Sequence, residues 1–153
     1  MLKILVRLLG TFFYIGYLPL IPGTFGSLAG IALYLLVQKN PWVYLFLTLL
    51  LIIIGFWVSN KAEKLMGRKD PSCVVIDEVC GMLVSLLFIP FNLRFLIIAF
   101  VFFRILDTLK PFPSGRLEKR GGGIGVMSDD LIAGIYTNLI LQAVLRLISF
   151  RAS

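Results

Sequence analysis

Long apolar blocks alternate with short polar breaks along almost the whole chain. Residues 25–37, 42–59, 72–91, 93–109 and 129–150 are such blocks, and each reads as a helix. The block at 72–91 has the ~20 residues that a bilayer crossing demands. That at 42–59 closes near Trp57, a residue of the kind found at membrane interfaces. Residues 25–37 are shorter and end at Lys39-Asn40-Pro41, while Pro90-Phe91-Asn92 makes a tight turn between the third and fourth blocks. Ahead of them, Lys3, Arg7, Thr11 and Tyr14 recur every three or four residues within apolar positions 2–21. That is a narrow polar stripe, which suits a helix lying in the interface or an ordinary first span. The pattern predicts an all-α polytopic membrane helical bundle, with about four to five spans plus an N-terminal interfacial helix.

Composition sharpens this picture. Of 153 residues, 59% are hydrophobic and 15% charged, against about 45–50% and about 25% in water-soluble domains. The length suits a single domain over residues 1–153. Residues 2–21 precede Pro22-Gly-Thr-Phe-Gly26, which lacks a small-x-small cleavage pattern, so no cleavable signal peptide is expected. Cys73 and Cys80 fall on one predicted helix, about 10 Å apart along its axis and beyond disulfide reach. The chain has no histidine. That excludes serine triads, histidine-nucleophile phosphatases and imidazole bases, leaving carboxylate, lysine or bound hydroxide for proton transfer.

Counting crossings places the polar features. If residues 25–37 cross from side A to side B, each later block alternates. Thr24, Ser27, the polar stretches 60–72 and 110–127, and every carboxylate embedded at a block edge then fall on side A. Side A also holds Lys61, Lys64, Arg68, Lys69, Arg104, Lys110, Arg116, Lys119 and Arg120, with Lys3 and Arg7 if the first helix is interfacial, while side B keeps Lys39, Arg94, Arg146 and Arg151. The positive-inside bias makes side A cytoplasmic. The net charge of +7 then speaks for anionic headgroups and cytoplasmic loops, and against nucleic acid as a partner.

Five carboxylates, Asp77, Glu78, Asp107, Asp129 and Asp130, thereby meet at one membrane depth. Ionisable groups at such positions mark a functional site by default. A hard divalent cation relieves their repulsion, and an oxygen-only donor set favours magnesium, Mg2+. Against this stand two plainer roles: Asp129 as a helix N-cap, and ion pairs to Arg104 and Lys110. Arg104, Asp107 and Lys110, spaced three apart, share one helix face, and Pro111 and Pro113 end that helix. Thr24 or Ser27 caps the helix beginning near Pro22, or contacts a phosphate there. The glycine run 121–125, with Gly122 and Gly123 beside Lys119 and Arg120, is a flexible loop or a cradle of backbone amides for phosphate.

Four stretches in order carry a resemblance: Pro22-Gly-Thr-Phe-Gly-Ser27, Asp77-Glu78-x-x-Gly81, residues 103–113 (FRILDTLKPFP) and residues 122–134 (GGIGVMSDDLIAG). On these the chain resembles the bacterial phosphatidylglycerophosphatase A family, departing at Leu106, where an aromatic is expected before the Asp. The resemblance implies a helical, magnesium-dependent phosphomonoesterase of the bacterial inner membrane that converts phosphatidylglycerophosphate to phosphatidylglycerol and phosphate. The terminal phosphate is then expected between the cation and Lys110. The nucleophile is water, activated with one of Asp77, Glu78 or Asp130 as base, or an aspartate attacking directly. A transferase of the CDP-alcohol type lacks its D-x-x-D-G signature here. The remaining alternative is a small ion carrier or non-catalytic membrane subunit whose carboxylates bind cations.

Overall fold

Asparagine and proline start the helices much where the polar breaks predict. In a computed structural model, which describes residues 1–117 and 120–152, the order is α1 (Leu2–Gly10), a 3₁₀ turn (Ile15–Tyr17), α2 (Pro22–Val37), α3 (Pro41–Met66), α4 (Ile76–Ser85), α5 (Leu93–Leu109), α6 (Ser114–Leu117) and α7 (Gly122–Ala152). Glu118 and Lys119, part of the basic loop, lie outside the described residues. No strand occurs among the described residues, and the chain is all-α. The Asn40 side chain accepts from the amides of Trp42 and Val43 at 3.1 and 3.2 Å, and Pro41 takes the first helical position, where its missing N–H costs nothing. Asn92 caps α5 in the same way, accepting from Arg94 at 2.9 Å. Lys110 ends α5 in the left-handed region (φ 46°), and Pro111 follows.

The span count is lower than the four to five expected. Two helices are long and apolar enough to cross a membrane, Pro41–Met66 and Gly122–Ile148. At 16 and 17 residues, α2 and α5 reach about 24–26 Å, short of the ~30 Å hydrocarbon core. The block 72–91 shrinks to the ten-residue α4. Its flanks are loop, buried at Val74, Val75, Leu86 and Ile89, with the Val75 amide donating to the Gly10 carbonyl at 2.9 Å, and exposed at Phe88 and Phe91. Hydrophobicity marked these residues as buried; it did not require them to be helical. Cys73 therefore precedes α4, and both cysteines are free. At nine residues, α1 is too short to cross and packs along α3.

Most of α4 is buried, enclosed by α2, α3, α5 and α7. The closest approach is to α7, where a methyl group on Gly134 would stand 2.4 Å from the Gly81 carbonyl oxygen. Backbone meets backbone there because neither residue has a side chain to hold the helices apart. The Asn138 amide on α7 donates to the carbonyls of Ser85 and Leu87 at 3.1 and 2.7 Å, closing the exposed end of α4. Tyr44 on α3 donates to the Leu83 carbonyl. The outer surface is apolar in the opposite sense to a water-soluble protein: Trp42, Phe46 and Ile53 on α3 and Leu147 on α7 are each more than half exposed.

Candidate carboxylate site

The contact of Gly81 with α7 fixes the site. Asp77 and Glu78 lie one turn before Gly81 on α4, and Asp130 lies one turn before Gly134 on α7. Oxygens from Asp77, Glu78 and Asp130 consequently all fall within 4.8 Å of one another. The Glu78 amide donates to the Asp77 carboxylate at 3.1 Å, which turns that carboxylate back toward the start of α4. Asp77, Asp129 and Asp130 are almost wholly buried.

The cluster opens on a cavity of ≈ 290 Å³, whose wall includes Gly23, Asp70, Arg104, Asp107, Lys110 and Asp129 besides these three carboxylates. On its α5 side Arg104 pairs with Asp107 at 2.9 Å, as one-face spacing predicts. Lys110, displaced by the left-handed end of α5, reaches instead across to Asp129 at 3.0 Å. All five expected carboxylates, with Arg104 and Lys110, thus share one cavity.

Thr24, Ser27, Gly122 and Gly123 are not part of that wall. Helix α2 begins at Pro22 with Ile21 as its cap residue, so neither Thr24 nor Ser27 caps it. Ser27 is buried and its hydroxyl donates to the Gly23 carbonyl at 2.9 Å. Gly122 gives its amide to Glu63 at 2.7 Å, and Gly123 lies against the Phe56 carbonyl. The run 122–125 is the first turn of α7, packed on α3. Asp129 therefore stands two turns inside a helix, which removes its N-cap role.

Three residues of the site carried no chemical signal in the sequence. Asp70 sits in a polar stretch among more cations than acids, yet it lines the cavity of the buried carboxylates. Glu63 accepts from the Asp70 amide at 3.0 Å as well as from Gly122, and so ties the Asp70 loop to the start of α7. At Gly23 an added methyl would come within 2.3 Å of a Glu78 carboxylate oxygen and 3.2 Å of the Arg104 guanidinium. Only a residue without a side chain leaves room for both groups.

The donor set fits a hard cation. Glu78 Oε2, Asp129 Oδ1 and Asp130 Oδ1 are buried without a hydrogen-bond partner. Buried anionic oxygens left in that state are costly. A divalent ion ligated by oxygen satisfies them, and among the described residues neither histidine nor cysteine joins the cluster. Such a cluster, beside an Arg and a Lys, can bind a phosphate monoester and promote its transfer to water.

Known proteins resemble this chain over most of its length. The profile of the phosphatidylglycerophosphatase A family matches residues 8–145. A Bacteroides thetaiotaomicron protein provisionally named phosphatidylinositol-3-phosphatase is 43% identical over 148 aligned residues, covering 91% of this chain and 92% of the relative. Proteins named phosphatidylglycerophosphatase A from Escherichia coli and Haemophilus influenzae are 39% and 35% identical, covering 88% and 91% of this chain and 80% and 88% of their own lengths. No solved structure matches the chain. With the profile spanning nearly all of the bundle, including both helices that build the carboxylate cluster, the chain belongs to the phosphatidylglycerophosphatase A family.

Proposed function

We propose that the chain is a membrane lipid phosphatase that hydrolyses the terminal phosphate of phosphatidylglycerophosphate, yielding phosphatidylglycerol and inorganic phosphate. The observation that carries this is the gathering of Asp77, Glu78 and Asp130 within 4.8 Å, in one cavity with Arg104 and Lys110, in a chain of this family. The large exposed apolar surface and the two long apolar helices support a place in the bilayer. The excess of Lys and Arg on the side of the site supports a cytoplasmic orientation in the bacterial inner membrane.

Asp77, Glu78 and Asp130, with Asp107 and Asp129 at the wall, would hold Mg2+, the hard cation that an oxygen-only set favours. When bound, it neutralises charge that develops on the transferring phosphoryl group. Lys110 and Arg104 bind the remaining phosphoryl oxygens, sharing charge now given to Asp129 and Asp107. A buried carboxylate, Asp77 or Asp130, accepts one proton of the attacking water. The water oxygen bonds to phosphorus as the bond to the glycerol oxygen breaks, and the proton held by that carboxylate passes to the glycerol oxygen, which leaves as the alcohol of phosphatidylglycerol. No other residue is modified, so the enzyme returns unchanged.

A second substrate has a specific observation behind it. The 43% identical relative bears a name for phosphatidylinositol 3-phosphate, and the two lipids present the same chemistry to the carboxylates. Phosphate release by the detergent-solubilised protein with Mg2+ decides between them. We expect the higher kcat/KM on phosphatidylglycerophosphate, loss of turnover on chelation and recovery on adding Mg2+. Undiminished turnover in excess chelator, after bound metal is removed, would sink the cation site. Silence toward phosphatidylglycerophosphate would sink the reaction.

A further inference from the structure

Beside the carboxylate cavity lies a second and larger one, of ≈ 570 Å³, with Asp70 and Ser72 as the wall shared by the two. Three cations line it, Arg7 from α1 and Arg68 and Lys69 from the loop after α3, against the single acid Asp70. None of the three forms an ion pair among the described residues. Beyond it, sharing Leu65, is a third cavity of ≈ 670 Å³ between α1 and α3, lined by Leu2, Ile4 and Val6 with Lys3, Lys61 and Lys64 at hand. Carboxylate, basic and apolar cavities thus follow one another from the buried site toward the interfacial helix.

Phosphatidylglycerophosphate has its chemistry in the same order. Its terminal monoester is joined by a single glycerol to a phosphodiester, and the phosphodiester to the acylated glycerol. Phosphatidylinositol 3-phosphate repeats the arrangement with an inositol between its phosphates. We infer that the Arg7–Arg68–Lys69 cavity binds the substrate's phosphodiester while the monoester lies at the carboxylates, making the enzyme selective for lipids with two phosphates. This inference rests on the lipid phosphatase reading. It assigns a role to cations that otherwise only mark orientation, and it explains how one site suits both lipids named among the relatives. Arginine is suited to the task because its planar donors grip a phosphate through two oxygens.

The test compares phosphatidylglycerophosphate with phosphatidic acid, which has one phosphate, in mixed micelles for wild type and the Arg7→Gln/Arg68→Gln double variant. Arg94→Gln, at the far end of α5 from the site, is the charge control. Wild type should favour the two-phosphate lipid in kcat/KM by about tenfold or more, the scale of one charged hydrogen-bonded contact. The double variant should bring the preference within about threefold, through a higher KM with kcat kept, and Arg94→Gln should not. Equal use of both lipids by wild type overturns the selectivity and leaves the phosphatase reading standing; no turnover of either lipid defeats that reading first. A variant that loses kcat and KM together, or melts at a lower temperature, shows the cations to be structural and overturns the proposal. Repeating the assay in vesicles of phosphatidylcholine and of phosphatidylglycerol separates the last possibility. A variant effect confined to phosphatidylglycerol assigns the cavity to a neighbouring anionic lipid and likewise overturns the proposal.

Discussion

Asp107 and Asp130, 23 positions apart in sequence, reach one cavity from two helices, and their charge is what that cavity uses. Asp107→Asn, Asp130→Asn and Glu78→Gln keep size and hydrogen bonding while removing it. Each should lower turnover by at least about two orders of magnitude, with expression and thermal unfolding in detergent close to wild type. Near-normal turnover in Asp107→Asn would move the chemistry to other carboxylates. Gly23→Ala should cost activity by a different route, since its methyl comes within 2.3 Å of a Glu78 carboxylate oxygen and displaces it. We expect a loss of about tenfold or more in kcat/KM, as misplaced groups at reacting centres commonly produce. The acids of α4, α5 and α7 were legible in the sequence because a charge inside an apolar run has to be explained. Asp70, Glu63 and Gly23 were not, because an acid among surface cations and a glycine after a proline have ordinary explanations. What sets them apart is where the chain returns in space.

At the scale of elements, the crossing of α4 and α7 is decided by Gly81 and Gly134. A methyl at 134 has the Gly81 carbonyl oxygen 2.4 Å away, and that atom is backbone, which cannot rotate aside. Gly134→Ala should destabilise the bundle by roughly 1–3 kcal/mol, the usual cost of overpacking, read as a lower unfolding midpoint in detergent. Activity should fall with it as Asp130 draws away from Asp77. An unchanged midpoint would show that the helices can part at no cost. The helices themselves were largely legible, and so were the Asn-Pro break before α3 and the proline stop after α5. The ends of α4 and the start of α7 were not. Apolar composition does not distinguish buried loop from buried helix at 72–75, and a glycine run reads as loop until it is seen packed on α3.

For the whole molecule, the parity argument brought every expected site group to one end; the five carboxylates, Arg104 and Lys110 do share a cavity, while Thr24, Ser27, Gly122 and Gly123 do not line it. The number of crossings was overcounted, because it assumed that every apolar block spans by itself. Orientation has its own measurement. With Cys73 and Cys80 replaced by Ala, cysteines introduced at Lys64 and Arg116 should both resist a membrane-impermeant thiol reagent in intact cells. Both should react once the membrane is opened. Labelling of either position from outside would place the loops on opposite faces.

The closure of α4 by Asn138 bears on how such a chain is made. The two hydrogen bonds join residues 53 and 51 positions apart. A ribosome adding about 5–20 residues per second needs roughly 3–10 seconds to cover that interval. During this time the last carbonyls of α4 have no Asn138 to meet them, and lipid offers no substitute. Newly made α4 must therefore wait in water, at the interface or against the insertion machinery, and enter the bundle only when α7 arrives. Birth order and assembly order are then expected to differ, with the central helix seated only once α7 has been made.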